Sequence, residues 1–400
     1  MDRALPVSRL LTLVGCWALS AFLSCVPEGL VDNPREPVWL TPNESGFLAG
    51  PYLMRSKPGT MLVVMKKKGG QLPVVEWWPS TSRQHVAPVP TSGPTRVRAK
   101  REGELWVAEL DGLAPDTFIA YRVSSERGMT EPSVFKAGVS RGKPFRFAAF
   151  GDTRTNHSVH QAVIDAVSRQ EVDFFVHTGD MVERGGQEPE WDAFFRIEGP
   201  LMAKAPIFPA IGNHDMSPRD YFGQYFLTAR WADSLSYYFQ DWGDLRIIAI
   251  DAGIECRDGC VQNWFARKAL DEGAKKGMLM MLTLHLPPYS SGAHGSYELI
   301  QDTIDDLATE YGVEIVFTGH DHNYERTKLI KGVTYIVSGA AGAPIRPVKQ
   351  QYFSEVVRTE PHYVLLDVNR DRIALRAINV DGDTFDDAVI HALAPRGKRP

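Results

Sequence analysis

The fold is decided by the stretch at residues 319–326, which has the sequence G-H-D-H-N-Y-E-R. It follows the apolar run at residues 313–317, which predicts a buried β-strand. His320 and His322 therefore stand at the end of a strand, and imidazole is the commonest metal ligand in proteins. A lone His-x-His pair is weak evidence for a metal site, so its meaning depends on what the other predicted strands carry.

Four other apolar runs end in polar residues of the same kinds. They end in G-D-T-R at residues 151–154, H-T-G-D at 177–180, G-N-H-D at 212–215 and H-L-P-P-Y at 285–289. In an α/β sheet, the carboxyl ends of the strands are where sites are built. Carboxylate, amide and imidazole groups together form a ligand set for one or two divalent cations. The sequence therefore predicts a metal site at one edge of a sheet.

The order and spelling of these motifs resemble the calcineurin-like metallophosphoesterase superfamily, and within it the purple acid phosphatase-like branch. The resemblance begins at about Gly46 and is carried above all by G-N-H-D together with G-H-x-H-x-Y-E-R. It implies a multidomain chain: an N-terminal all-β, fibronectin type III-like sandwich, then an α/β domain of four αββα layers. We predict these domains at residues 46–140 and 145–393, after a signal at 1–25 and a linker at 26–45.

The resemblance also implies a centre of two divalent metal ions, of Mn, Zn or Fe, with a bridging hydroxide as the nucleophile. Asp180 is implied to bridge the two ions. The other implied ligands are Asp152 and His322 for the first ion, and Asn213, His285 and His320 for the second.

Four further residues have implied roles in catalysis. His214 is the candidate general acid, because an imidazolium beside the ligands can protonate a leaving oxygen. Asp215 is expected to orient that ring, and His294 to face the substrate. Arg154 is expected to clamp phosphate oxygens through its planar guanidinium, with a structural salt bridge as the alternative.

Two positions depart from the family pattern. Purple acid phosphatases carry G-D-x-x-Y, where the tyrosinate binds ferric iron, but the fifth position here is Glu183. Other members carry D-x-H at the first motif, where this chain has Arg154 in place of the histidine. The first ion therefore lacks its usual fourth ligand, for which Glu183 or water is expected to substitute. Without a phenolate, we expect a colourless protein that uses divalent metals.

The overall composition restricts the classes of partner. The chain has 400 residues and a formal net charge of −5. A nucleic-acid binder would show a strong basic face, so none is expected as a partner. A small-molecule phosphoester is the expected substrate, and the sequence does not indicate an oligomeric state.

The N-terminus predicts export. Arg3 and Arg9 precede the apolar, uncharged stretch at residues 10–23, as in a signal peptide. Residues 22–25 form an imperfect lipobox, which predicts a lipid anchor at Cys25; simple secretion and a retained anchor are the alternatives. The expected location is the periplasm or the cell surface. In such an oxidising compartment, Cys256 and Cys260 are expected to form a disulfide.

Coarse patterns place the remaining elements. Helical spacing predicts helices at residues 158–169, 261–270 and 297–311, and residues 236–251 are predicted to form a strand pair. His157 and His160, at the border of the first helix, are expected to be exposed or to cap it.

The leading hypothesis is an exported, metal-dependent phosphomonoesterase. One alternative is a phosphodiesterase or nucleotidase that uses the same site. Another is a surface binding or adhesion lipoprotein, in which the N-terminal module carries the function and the catalytic domain is degenerate.

Overall fold

The computed structural model describes residues 39–40, 46–67, 69–227, 236–253 and 260–392. The predicted signal with Cys25 lies outside these residues, as does Cys256, so the lipid anchor and the disulfide stay predictions. Among the described residues, no helix has both the length and the apolar character needed to cross a membrane.

The N-terminal module is built from strands, as the sequence predicted. Its described strands form two sheets, one in the order β1-β9-β8-β4-β5 with β10 paired to β8, the other in the order β2-β3-β7-β6. Its similarity to fibronectin type III modules stays a prediction. The strands are β1 Trp39–Leu40, β2 Ala49–Lys57, β3 Thr60–Lys66, β4 Val74–Ser80, β5 Thr95–Arg98, β6 Lys100–Glu102, β7 Leu105–Leu110, β8 Phe118–Ser125, β9 Gly128–Thr130 and β10 Ser133–Lys136.

Strand β3 explains how this module is attached. Every residue of its T-M-L-V-V-M-K sequence is buried, because both faces of its sheet are covered. On one face Val63 packs in the core of the module. On the other, Leu62 joins a core that includes Phe195 of the following domain, and the Tyr52 hydroxyl donates to the Tyr225 carbonyl at 2.5 Å. The module is therefore packed against the following domain by apolar contacts together with hydrogen bonds.

The first sheet of the catalytic domain has the strand order β13-β12-β11-β21-β22-β23. Strands β11, β12 and β13 are parallel neighbours, whereas β21 pairs with β11 in the antiparallel direction. The carboxyl ends of the three parallel strands consequently meet at one edge. The strands are β11 Phe145–Phe150, β12 Phe174–His177, β13 Ile207–Pro209, β21 His362–Asn369, β22 Arg372–Asn379 and β23 Thr384–His391.

The second sheet has the order β14-β15-β16-β17-β19-β18-β20. The strand pair predicted at residues 236–251 is confirmed as β14 and β15, and β15, β16 and β17 are parallel. The strands are β14 Tyr238–Trp242, β15 Leu245–Ala249, β16 Leu279–Thr283, β17 Ile315–Thr318, β18 Tyr324–Thr327, β19 Thr334–Ser338 and β20 Ser354–Arg358.

Helices cover the outer faces of both sheets. The inner faces share one core, in which Phe147 and Phe174 of the first sheet meet Trp242 and Ile336 of the second. This arrangement confirms the predicted four αββα layers. The helices are α1 His157–Ser168 and α2 Glu188–Met202 on the first sheet, the short α3 Tyr221–Phe226, and α4 Val261–Lys275 and α5 Glu298–Tyr311 on the second.

The three predicted helices are confirmed as α1, α4 and α5, but one residue at the start of α1 was predicted wrongly. The side chain of Asn156 caps α1 by accepting from the Val159 amide. His160 is buried on the inner face of α1, where its Nε2 lies 2.9 Å from a carboxylate oxygen of Glu198 on α2. His157 is exposed, as expected.

Candidate metal centre

Five strand ends from both sheets bring their polar residues to one place. Asp152, Asp180 and Asn213 follow β11, β12 and β13, and His285 and His320 follow β16 and β17. The predicted convergence of carboxylates, amide and imidazoles is therefore present, and the donor atoms of Asp180, His285 and His320 all lie within 4.8 Å of one another.

Four of these donors surround a single point, which we call the four-donor position (Asp180, Asn213, His285 and His320). His285 Nε2 lies 3.3 Å from Asp180 Oδ1 and 3.2 Å from His320 Nδ1. His320 Nδ1 lies 3.0 Å from Asn213 Oδ1. Donor atoms bound about 2.1 Å from one ion at tetrahedral or right angles lie roughly 3.0–3.4 Å apart. The residues present thus fit one divalent ion.

The surroundings of His285 also suit a cation. His285 Nδ1 lies 2.9 Å from the Thr178 carbonyl, which it contacts as a donor, so its Nε2 faces the centre. Burial alone would lower the pKa of His285, but Asp180 and Asp152 together raise it to about 9. This position therefore attracts positive charge. A bound metal ion supplies that charge in place of the proton.

Three of the predicted ligands have a left-handed backbone conformation. Asp152, Asp180 and His320 have φ values of 57°, 55° and 70°. Such left-handed conformations cost of the order of 1–3 kcal/mol each in residues other than glycine, and they cluster at functional sites. The chain holds them here because each ligand must turn back towards the centre directly after its strand.

Two glycines let the backbone approach the carboxylates closely. A Cβ atom on Gly212 would lie 2.1 Å from the Asp180 amide nitrogen and 2.2 Å from its Oδ1. A Cβ atom on Gly319 would lie 2.4 Å from Asp152 Oδ2. Any side chain at either position would displace a ligand.

Asp215 has a different role from the one predicted. It was expected to orient the ring of His214, but its carboxylate accepts from the backbone amides of Asp180 at 2.9 Å, Met181 at 2.8 Å and Gly212 at 2.9 Å. Burial, followed by the charge of Asp180, raises the pKa of Asp215 to about 7. Asp215 therefore positions the loop that carries Asp180.

His214 and His294 both lie beside the donors of the centre. His214 Nδ1 lies 2.7 Å from the Glu183 carbonyl, which orients the ring, and His214 Nε2 lies 4.0 Å from Asp180 Oδ2. The His294 ring lies over that of His320, with 4.3 Å between their centroids. Both imidazoles can therefore contact a substrate bound beside the four-donor position.

Asp152 and His322, together with the shared Asp180, form what we call the three-donor position (Asp152, Asp180 and His322). His322 Nδ1 lies 2.7 Å from the Pro344 carbonyl, so Nε2 faces the centre, 3.7 Å from Asp152 Oδ1. Burial lowers the pKa of His322 to about 4, so its imidazole is neutral at pH 7. A neutral imidazole and two carboxylates are suitable ligands, but this position has one protein donor fewer than its neighbour.

The two residues at which the sequence departs from the family pattern contact each other here. The Arg154 guanidinium forms an ion pair with Glu183, which also accepts from the Thr155 hydroxyl at 2.8 Å. Glu183 was predicted to replace the missing ligand, and Arg154 to clamp phosphate. The prediction for Glu183 needs correction, because its carboxylate is paired with Arg154. For Arg154 the structure shows the alternative, a salt bridge, with the guanidinium turned towards the ligands.

Two site residues were missed in the sequence. The Arg346 guanidinium, on the loop after β19, contacts the His294 ring at the open side of the centre. The Tyr297 hydroxyl lies 2.7 Å from His320 Nε2, on the side of that ring away from the other donors. Tyr297 could have been suspected because it is the first residue of a predicted helix close to His294 in the sequence. No local pattern indicates Arg346.

A metal-binding edge shared by two facing sheets, with G-N-H-D and G-H-x-H at the strand ends, defines the metallophosphoesterase class of domain. Residues 145–324 match the family model described as calcineurin-like phosphoesterase, and the chain contains a calcineurin-like metallophosphoesterase domain.

The chain is similar to purple acid phosphatases and to a related hydrolase. The chain is 28% identical to purple acid phosphatase 21 of Arabidopsis thaliana, over 60% of this chain and 59% of the relative. It is 29% identical to a nucleotide pyrophosphatase/phosphodiesterase of Hordeum vulgare, over 39% of this chain and 49% of the relative. The chain thus spans about half to six tenths of the length of these curated relatives.

The fold has a solved counterpart. A purple acid phosphatase isolated from yellow lupin (Lupinus luteus) seeds superposes with a TM-score of 0.72 at 20% identity, covering 85% of this chain and 74% of that one. At this identity the likeness establishes the fold alone. The family and the relatives imply a dinuclear metal centre, and they leave the identity of the metal open.

Proposed function

We propose that this protein hydrolyses phosphate monoesters with the help of bound divalent metal ions. The observation that carries the proposal is the four-donor position, where Asp180, Asn213, His285 and His320 converge at the spacing that one ion requires. A small phosphoester is the proposed substrate. When bound, divalent ions lower the pKa of water and offset the negative charge of the phosphoryl group.

His214 is proposed to protonate the leaving oxygen. Its Nδ1 donates to the Glu183 carbonyl, so any further proton sits on Nε2, on the face towards the centre. The ring is 29% exposed, and a leaving group entering from solvent can reach that nitrogen. Proton transfer by a positioned imidazole contributes about 10²–10⁴-fold to the rate of such reactions.

Arg346 and His294 are proposed to hold the phosphate. The guanidinium of Arg346 and the ring of His294 are in contact, and both face the centre from outside the ligand set. A guanidinium can bind two phosphate oxygens in parallel, which fixes the orientation of the phosphoryl group. This pair takes over the clamping role that the sequence suggested for Arg154.

Export is part of the proposal. It is supported by the positive, then apolar, N-terminus at residues 1–25 and by the potential lipidation site at Cys25. The proposed location is the periplasm or the cell surface. Labelling of the full chain with a palmitate analogue, lost in Cys25→Ser, would support the lipid anchor, and unlabelled wild type would reject it.

The central experiment combines metal analysis with a panel of phosphoesters, on wild type and Asp180→Asn. We expect Asp180→Asn to retain less than about 1% of the activity and to lose about one metal ion per chain, because Asp180 is shared by both positions. Asp387→Asn, an exposed carboxylate on β23, is the control and should match wild type. Unchanged turnover in Asp180→Asn would reject the proposed function.

Hydrolysis of phosphodiesters is the second candidate, favoured by the similarity to a nucleotide pyrophosphatase/phosphodiesterase. The same panel separates the two. Faster turnover of p-nitrophenyl phosphate than of bis(p-nitrophenyl) phosphate supports the monoesterase, and the reverse order supports the diesterase.

A further inference from the structure

Arg154 lies among the metal-binding donors. Its side chain is only 8% exposed. Arg154 Nε lies 3.3 Å from Asp180 Oδ2, another of its nitrogens lies 3.4 Å from His322 Nε2, and a third contacts Glu183. Two of these three contacts are with donor atoms of the three-donor position.

The atoms that Arg154 contacts are the ones that a metal ion would use. His322 Nδ1 is taken up by the Pro344 carbonyl, so Nε2 is the ring atom left for the centre. Asp180 Oδ1 faces His285, so Oδ2 is the oxygen left for the three-donor position. A guanidinium donates hydrogen bonds, cannot act as a ligand and stays protonated in proteins. It therefore satisfies these donors as a fixed positive charge.

We propose that Arg154 competes with the metal for the three-donor position, so that the two positions of the centre load unequally. The four-donor position takes its ion first. The three-donor position takes one only after the guanidinium has moved away, because an ion bound to both Asp180 Oδ2 and His322 Nε2 would stand beside a like charge in a buried site. This inference concerns the same centre as the proposed function, but it does not require that a given phosphoester be turned over.

The structure offers a place for the displaced guanidinium. A cavity of about 210 Å³ is lined by Arg154, Thr155, Glu183, Arg184 and Glu190, among others. It lies on the side of Arg154 that carries its carboxylate partner, so the ion pair with Glu183 can be kept while the guanidinium leaves His322. Rotation of the Arg154 side chain into this cavity would open the three-donor position.

The test is a metal titration of the full chain. Protein stripped with a chelator is equilibrated with increasing free Zn²⁺ or Mn²⁺, and bound metal per chain is measured after dialysis. We expect wild type to bind one ion, then a second only at a free metal concentration at least about 100-fold higher, since a buried like charge opposes it. Binding of two ions in a single step by wild type would overturn the inference.

Substitution of Arg154 should reduce the difference between the free metal concentrations at which the first and the second ion bind. Arg154→Met removes the charge and should lower the concentration for the second ion at least about 10-fold. Arg154→His, which adds an imidazole donor, should lower it further. Arg358→Met is the matched control, because that exposed guanidinium on β20 donates to the Val357 carbonyl and lines neither the centre nor the cavity; its isotherm should follow wild type. An unchanged second step in Arg154→Met would refute the competition.

Glu183→Gln gives an independent variant that keeps the arginine. The variant lacks the carboxylate that would hold the displaced guanidinium in the cavity, so the second step should shift to a higher free metal concentration. An unchanged second step, or a shift to a lower concentration, would overturn the inference. The first step reports correct folding in every variant, since none of the substituted residues is itself a donor of the four-donor position. Two-step binding without any phosphoester turnover would reject the proposed function and leave this inference standing, whereas turnover with one-step binding would do the opposite.

Discussion

The four-donor and three-donor positions lie side by side and share Asp180, yet they are differently built. The first is surrounded by an amide, a carboxylate and two imidazoles, and in the described part of the chain no cationic side chain donates to the four atoms that face the ion. In the second, a guanidinium already satisfies two of the three donors. The types of ligand predicted at the strand ends therefore do not determine how tightly a position binds metal, because a neighbouring charge changes the metal affinity of that position.

The largest difference between the two positions should appear when one imidazole is removed from each. We expect His320→Ala to lower kcat/KM by more than about 100-fold, since loss even of an outer partner of a ligand costs about 10–100-fold. His322→Ala should cost about 10-fold or less, because Arg154 remains to offset the charge of Asp180. Steady-state kinetics at saturating metal measures both, and equal losses would remove the distinction between the positions.

The close approach of Gly212 to Asp180 gives a second way to disturb the shared ligand. In Gly212→Ala the new methyl group would overlap the Asp180 amide and carboxylate. We expect destabilisation of about 1–3 kcal/mol and a loss of activity of about 100-fold from the misplaced carboxylate. Gly199→Ala in α2, where a Cβ meets nothing within 4 Å, is the control. Thermal unfolding and kinetics should leave this control close to wild type.

Substitution of Arg346 tests whether the substrate is bound by residues that are not metal ligands. Arg346→Ala should raise KM about 10-fold with a smaller change in kcat, because a charge-assisted contact to phosphate is lost while the ligands stay in place. Its metal content should not change. Arg358→Ala removes an exposed arginine of β20 and should behave as wild type. A fall in bound metal in Arg346→Ala would instead make Arg346 part of the ligand support.

His362 lies outside the centre and tests how much of the acid sensitivity of the fold comes from a histidine that is not a predicted ligand. His362 is fully buried on β21, and burial lowers its pKa from 6.5 to about 4. Between these values the unfolded chain binds a proton that the folded chain does not. The free energy of unfolding of wild type should therefore fall by about 3 kcal/mol more than that of His362→Gln as the pH drops from 6.5 to 4.

Urea unfolding of metal-free protein at several pH values measures this difference. Parallel pH profiles for the two proteins would mean that His362 does not contribute, and that the acid sensitivity comes from the imidazoles of the centre.

Much of this architecture was predictable from local patterns. The apolar runs before Asp152, Asp180, Asn213, His285 and His320 were sufficient to place these residues at strand ends, because parallel strands end at the same edge of a sheet. The four layers were implied by the resemblance to the metallophosphoesterase superfamily, and strands interspersed with helices agree with them. His160 was missed because one polar residue at a helix border does not reveal that Glu198 of another helix lies opposite it.

The amino-acid sequence by itself determined which donors stand at the strand ends, since side-chain type and strand periodicity are local properties. The directions in which the charged side chains around these donors point were decided only by the tertiary structure. Arg154 turns to the ligands, Asp215 to backbone amides, and Arg346 arrives from a distant loop. Their directions depend on charges and hydrogen-bond partners that are far away in the chain and become neighbours only when the two sheets pack together.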